Sequence, residues 1–143
     1  PPPGERRFAP GLTVLRRRAD FLRAASARRQ GTAGFLLQAR QRRPDEPVPA
    51  DRIRVGFTCS KKLGNAVARN RAKRRLRALA RQVMPGQARP GWDYVLVGRP
   101  EATATRGFAD LCGDLSFALS RVHALPEGGR DAPVAAPRRR GRG

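Results

Sequence analysis

Val55-Gly-Phe-Thr-Cys-Ser-Lys-Lys-Leu-Gly-Asn-Ala-Val-Ala-Arg-Asn-Arg-Ala-Lys-Arg-Arg-Leu-Arg-Ala-Leu-Ala-Arg81 reads in one pass as a buried strand, a tight basic turn and a basic amphipathic helix. Ala72, Leu76, Leu79, Ala80 and Val83 recur at intervals of three and four, so they share one helix face that can pack on a sheet. Asn65 after Gly64 is the expected N-cap, and Pro85-Gly86 ends the helix by removing a backbone donor and permitting a left-handed residue. On the opposite face Asn70, Arg74, Arg77 and Arg81 form a stripe flanked by Arg71 and Arg75.

From Lys61 to Arg81 there are nine Lys or Arg residues, and no acid stands between Asp51 and Asp93 to neutralise them. A merely solvated helix usually mixes signs in i, i+4 pairs, so this density points to an anionic partner. Arginine suits phosphate because its planar guanidinium grips two oxygens at once. Twenty-eight of the thirty-one basic residues are Arg, and the three lysines, Lys61, Lys62 and Lys73, all fall in this run. That clustering hints at positions where a compact ammonium is useful.

The run Gly56 to Val67, followed by Arg69-Asn70-Arg71 and Lys73-Arg74-Arg75-Leu76-Arg77, closely resembles the signature of the bacterial ribonuclease P protein component. The resemblance extends more loosely from about Leu15 to Leu125. It implies a noncatalytic subunit that helps a magnesium-dependent catalytic RNA remove the 5′ leader of precursor tRNA. Arg69, Asn70, Arg71, Lys73, Arg74, Arg75 and Arg77, continued by Arg81, would hold the catalytic RNA, with Lys61 and Lys62 at or beside that contact. Phe21, with Arg17, Arg18 and Arg54, would form the cleft for the single-stranded leader. The family often places a second aromatic one turn after Phe21, where this chain has Ala25.

Composition agrees. The chain has 143 residues and a formal net charge of +20, with a pI near 11.9. That bounds it to one small domain with tails and makes a polyphosphate the default partner. The domain is expected over 12–125, with a flexible basic arm over 1–11 and a disordered Gly/Pro/Arg tail over 126–143. No apolar stretch approaches spanning length, and Pro1-Pro-Pro-Gly-Glu-Arg-Arg lacks the apolar core of a signal peptide, so a cytoplasmic location is expected, with no membrane partner and no small-molecule substrate. Cys59 and Cys112 have neither zinc nor redox spacing and read as small buried hydrophobes.

Elsewhere the chain reads as follows. A short helix is expected over Arg18 to Arg29, with Asp20 in its first turn, Gly31 as its stop, and Leu22 and Ala25 facing the core. Phe21, about 100° round from Leu22, is either a core aromatic, the preferred reading from the residues alone, or a platform on which bases stack without regard to sequence. Thr32 to Arg40 has strand character, Gln41 to Asp51 is a long loop with Pro44, Pro47 and Pro49, and Arg52 to Cys59 alternates as a strand. These two strands are expected to pair antiparallel. Trp92 to Gly98 is a third strand, whose Trp92 and Tyr94 more readily pack beside the sheet than stack on RNA.

Thr105 is expected to cap a last helix whose apolar face is Phe108, Leu111, Cys112, Leu115, Leu119 and Val122. Asp110 and Asp114 lie one turn apart, but neither a His nor a third carboxylate is near in sequence, so a solvated face outweighs a metal site. His123, the only histidine, reads as a companion of the helix-end carbonyls or as having no role, ahead of a general base. No nucleophile with a base appears, and no metal-ligand spacing. The protein is thus expected to carry no catalytic residue and to bind no cofactor itself, magnesium belonging with the RNA.

The expected fold is α+β, a two-layer sandwich of a small mixed sheet covered by helices in the order α-β-β-α-β-α. The family resemblance adds a left-handed βαβ crossover, the fold type of a ribosomal protein domain. Two other classes share the charge: a general ribosomal or chaperone-like RNA binder, and a protein-only nuclease, which the scattered acids disfavour.

Overall fold

A computed structural model of the protein describes residues 12–124. The arm over 1–11, Leu125 and the tail over 126–143 lie outside the described residues. The elements are β1 (Leu12–Val14), α1 (Arg18–Ala25), β2 (Arg28–Gly31), β3 (Phe35–Gln41), β4 (Ile53–Cys59), a 3-10 turn (Lys61–Leu63), α2 (Ala66–Val83), β5 (Trp92–Gly98), a short α3 (Ala102–Thr105) and α4 (Phe108–Ala124). They build the expected α+β architecture, a mixed five-stranded sheet in the order β1-β4-β5-β3-β2.

Register divides the sheet into two faces. Val55, Phe57, Tyr94, Leu96, Phe35 and Leu37 point toward α2 and α4 and join the main core with Leu76, Leu79, Leu111, Leu115 and Leu119. Each such side chain contributes roughly 1.5–3 kcal/mol on full burial. The opposite face is mostly polar at one end and carries α1, seated over Val95 by Leu15, Ala24 and Phe21.

The central helix forms as its spacing predicts. Ala72, Leu76, Leu79, Ala80 and Val83 are its buried residues, and Asn65 Oδ1 accepts from the Ala68 amide at 3.0 Å. Gly86, at φ 89, carries the chain away after the helix end, a conformation open to glycine.

Several expectations are corrected. β3 and β4 do not pair, because β5 lies between them, antiparallel to β3 and parallel to β4. The reason is burial: Trp92 to Leu96 are buried on both faces, which only a central strand allows. The first helix stops at Ala25 rather than Arg29. Ser26 Oγ donates to the Leu22 and Arg23 carbonyls, and the chain then re-enters the sheet as β2, pairing Arg28 with Ala39 through Gly31 with Leu36.

The same helix is also turned from its expected phase. Ala24 and Asp20 are its buried residues, whereas Leu22 and Ala25 are exposed. Small Ala24 permits close approach to the sheet, and Asp20 thereby reaches Arg54.

At the other end Thr105 does not cap the last helix but closes α3, its Oγ1 donating to the Glu101 carbonyl. Phe108, expected in the core, is exposed at the start of α4, and the expected face is otherwise buried except for half-buried Cys112. Cys59 and Cys112 are half-buried beside the core rather than enclosed by it, and burial raises both thiol pKa values.

Candidate nucleic-acid interface

α2 and the turn before it present the first surface. Lys62, Asn70, Arg71 and Arg74 are exposed, and Lys73 and Arg81 are half-buried. Lys61 opens the 3-10 turn beside them. Three of the expected RNA-binding arginines have intramolecular partners as well. Arg69 donates to the Gly64 carbonyl at 2.7 Å, Arg75 donates to the Ala104 and Arg106 carbonyls at the end of α3, and the Arg77 guanidinium lies 5.4 Å from the Phe57 ring centre. These contacts fix the helix to its neighbours and aim the remaining cations outward.

The second surface is a cleft of about 420 Å³ between α1 and the sheet. Phe21 and Leu22 form its apolar wall, Arg16 and Arg18 its basic rim, and Gln38, Thr58 and Val97 its floor. No acid lines it. A Cβ on Gly56 would fall 2.6 Å from the Phe21 ring, so glycine lets the aromatic lie close on the strand while one side of it borders the cleft. Phe21 therefore packs against Leu15 and Val95 and also borders the opening. Gln38, Thr58 and Leu22 were missed from sequence, although strand alternation places Gln38 with Arg40, and Thr58 with Gly56, on this face.

Arg17 and Arg54 sit elsewhere. They line a separate hollow with Asp20, Arg23 and Glu46 on the other side of α1. The Arg54 guanidinium binds the fully buried Asp93 carboxylate at 2.8 and 2.7 Å and reaches Asp20 at 3.3 Å. Asp93 also accepts from Arg42 at 2.7 Å and faces Arg40 at 3.6 Å, and Arg40 in turn grips both Glu46 oxygens. Burial would raise the Glu46 pKa, but the hydrogen bonds from Arg40 and from the Arg43 amide outweigh it, and the pKa is lowered.

The remaining candidates have structural partners. Trp92 and Tyr94 are buried, and His123 lies at their edge, 4.4 Å from the Trp92 ring centre. The Arg89 amide donates to the Tyr94 hydroxyl, which also shares a hydrogen bond with His123 Nε2 at 2.7 Å. His123 is thus tied to a side chain rather than to helix-end carbonyls. Burial and the positive charge of Arg89 and Arg28 push its pKa down to about 4. Asp114 is not simply solvated either, since Arg106 binds it at 2.7 and 3.1 Å. Among the described residues no three His, Cys, Asp or Glu side chains gather as a metal site, and no described helix is long and apolar enough to cross a membrane.

A basic helix on one face of the sheet and an acid-free, aromatic-walled cleft on the other are the geometry on which the comparison with known proteins can be judged. The family model described as Ribonuclease P matches residues 10–123. The chain belongs to the ribonuclease P protein component family. The ribonuclease P protein component of Ruegeria pomeroyi is 62% identical over 114 residues, covering 80% of this chain and 89% of that protein. That of Paramagnetospirillum magneticum is 51% identical, covering 82% and 88%. The fold also matches the ribonuclease P protein of Staphylococcus aureus, with a TM-score of 0.57 at 25% identity over 75% of this chain and 92% of that one. The structure from Thermotoga maritima gives a TM-score of 0.58 at 23% identity, covering 78% and 96%, and bears on the fold alone.

Proposed function

We propose that this member of the ribonuclease P protein family acts as a noncatalytic, RNA-binding subunit, helping a catalytic RNA bind precursor tRNA and remove its 5′ leader in the cytoplasm. The observation that carries the reading is α2, an acid-free helix whose outward face presents Asn70, Arg71 and Arg74 while its inward face is locked into the core. On this reading α2 and Lys62 hold the catalytic RNA, and the Phe21 cleft holds the single-stranded leader, by stacking on Phe21 and by attraction to Arg16 and Arg18. The protein's contribution is electrostatic. Two polyanions repel, and cations placed between them lower that cost and help the RNA retain the magnesium that its chemistry uses.

The test is precursor tRNA cleavage at low magnesium with the protein alone, a bacterial ribonuclease P RNA alone, and both together. Efficient cutting at the leader junction by the mixture only supports the subunit reading. A mixture no better than the RNA alone favours a general RNA-binding role, and cutting by nuclease-free protein alone places chemistry in the protein.

A further inference from the structure

The two sides of α1 differ in charge, although both open onto the same face of the sheet. On the Phe21 side the cleft has arginines at its rim and no acid. On the far side, Asp20 and Glu46 line one hollow, and Asp45 and Glu46 line the next. Arg17 and Arg43 also line these hollows and are exposed, but the other arginines there are engaged by carboxylates. Arg54 is held by Asp93 and Asp20, Arg42 by Asp93, Arg40 by Glu46 and Asp93, and Arg23 by Asp20. Four arginines thus face three carboxylates in one connected network at one end of the sheet.

The network is also held in place. Arg42, with only 3% of its side chain exposed, donates to the carbonyls of Trp92, Pro49 and Arg52 as well as to Asp93, which pins both ends of the Pro-rich loop that carries Glu46. Register puts Arg40, Asp93 and Arg54 directly across from one another on β3, β5 and β4. One step along the same rows, Gln38, Val95 and Gly56 lie toward the cleft, about 7 Å away at two residues of strand rise. In a chain of net charge +20, a patch whose acids offset most of its arginine charge, immediately beside a cleft with no acid, is an asymmetry that a strand of phosphates would read.

We propose that this network is an electrostatic stop, in which Asp20, Glu46 and Asp93 engage Arg23, Arg40, Arg42 and Arg54 and offset three of their four charges, so that a single-stranded polyanion is held preferentially on the Phe21 side of α1. The inference rests on the single-strand reading of the cleft given above. Each carboxylate satisfies arginines that would otherwise bind phosphate bidentately, and so limits where along the sheet the strand is held.

Three charge-removing variants test it, Glu46→Gln, Asp20→Asn and the two combined, in the full chain binding a fluorescent single-stranded oligoribonucleotide with photoreactive uridines. Release of the arginines adds phosphate contacts, each steepening the log–log salt dependence by about 0.7. The expected result is a slope steeper by roughly one to two contacts, with new crosslinks in the segment 40–48 that the parent lacks. Glu46→Asp, which keeps the charge, restores the parent slope, and Asp110→Asn on exposed α4 leaves the slope unchanged. A purely structural role would lower the melting temperature without moving slope or crosslinks. Each single variant is read the same way, so one that fails to fold leaves the other decisive. A parent that binds the strand, with folded variants unchanged in slope and crosslinks, overturns the stop alone. A parent that does not bind overturns the cleft reading and the stop with it.

Discussion

Glu101 has φ 62 and ψ −54, and the Ala102 amide donates to the Pro100 carbonyl across it at 2.6 Å. This is the strained, positive-φ form of a γ-turn, and it falls on a residue with a Cβ. Replacement by glycine relieves the strain, so Glu101→Gly is expected to stabilise the fold by about 1 kcal/mol, read as a rise of a few degrees in Tm. His123 makes the second argument at this scale. Its folded pKa is about 4, below the ordinary 6.5. Between those values the unfolded chain takes up a proton that the folded chain refuses, so stability is full above about pH 6.5 and is lost as pH falls toward 4. His123→Gln is therefore expected to lose less Tm than the parent between about pH 7 and pH 4.5. Glu46, with its lowered pKa, adds an acid loss of its own, but it is common to both proteins and drops out of the difference. An equal loss in parent and variant would mean that His123 titrates normally.

Adjacent arginines on α2 divide the labour of the element. Arg75 donates two hydrogen bonds to carbonyls at the end of α3, whereas Arg74 is exposed. Arg75→Ala is expected to cost about 1–2 kcal/mol in thermal or denaturant unfolding. Arg74→Ala should change stability by no more than about 0.5 kcal/mol, yet weaken binding of the catalytic RNA and flatten its salt dependence. The reverse pattern would mean that the helix is docked the other way round. Phase was what made α2 legible: five apolar residues at helical spacing, a capping Asn and a Pro-Gly end lie within one local window. The pieces that escaped reading lack such a window. β2 is Arg28-Arg29-Gln30-Gly31, whose buried member, Gln30, is polar, and its strand conformation comes from pairing with β3. β5 looks like any alternating strand, so chain order favoured pairing β3 with β4; its burial on both faces depends on helices elsewhere. The site was legible to the same extent. Phe21 and Arg18 line one cleft, but the ion partners of Arg54 are 34 and 39 residues away, beyond any local pattern.

Across the whole molecule, charge is segregated rather than spread. The segment between Asp51 and Asp93 contains no acid and includes all of α2, whereas Asp20, Glu46 and Asp93 are drawn into one network at the far side of α1. Such a molecule orients before it touches a polyanion, because its field has a direction as well as a magnitude. Salt dependence measures how many cations then engage. Six to ten phosphate contacts, a natural number for so basic a run, would reduce affinity by about 10³–10⁵ between 50 and 200 mM salt. The structure lowers that number, since Arg69, Arg75 and Arg77 already have partners within the protein. Lys62, Arg71, Lys73, Arg74 and Arg81 remain on the described surface of α2 and its entry turn. Five contacts give a slope of about −4 to −5 and a loss of roughly 10²–10³ over the same salt range. Titrating the catalytic RNA with full-length protein across that range measures the slope directly. A value near −4.5 assigns the contact to α2 with its three tied arginines held in place, and a value beyond about −7 means that those arginines release their carbonyls and ring to take phosphate. A slope shallower than about −2 would remove α2 as the electrostatic seat of the complex.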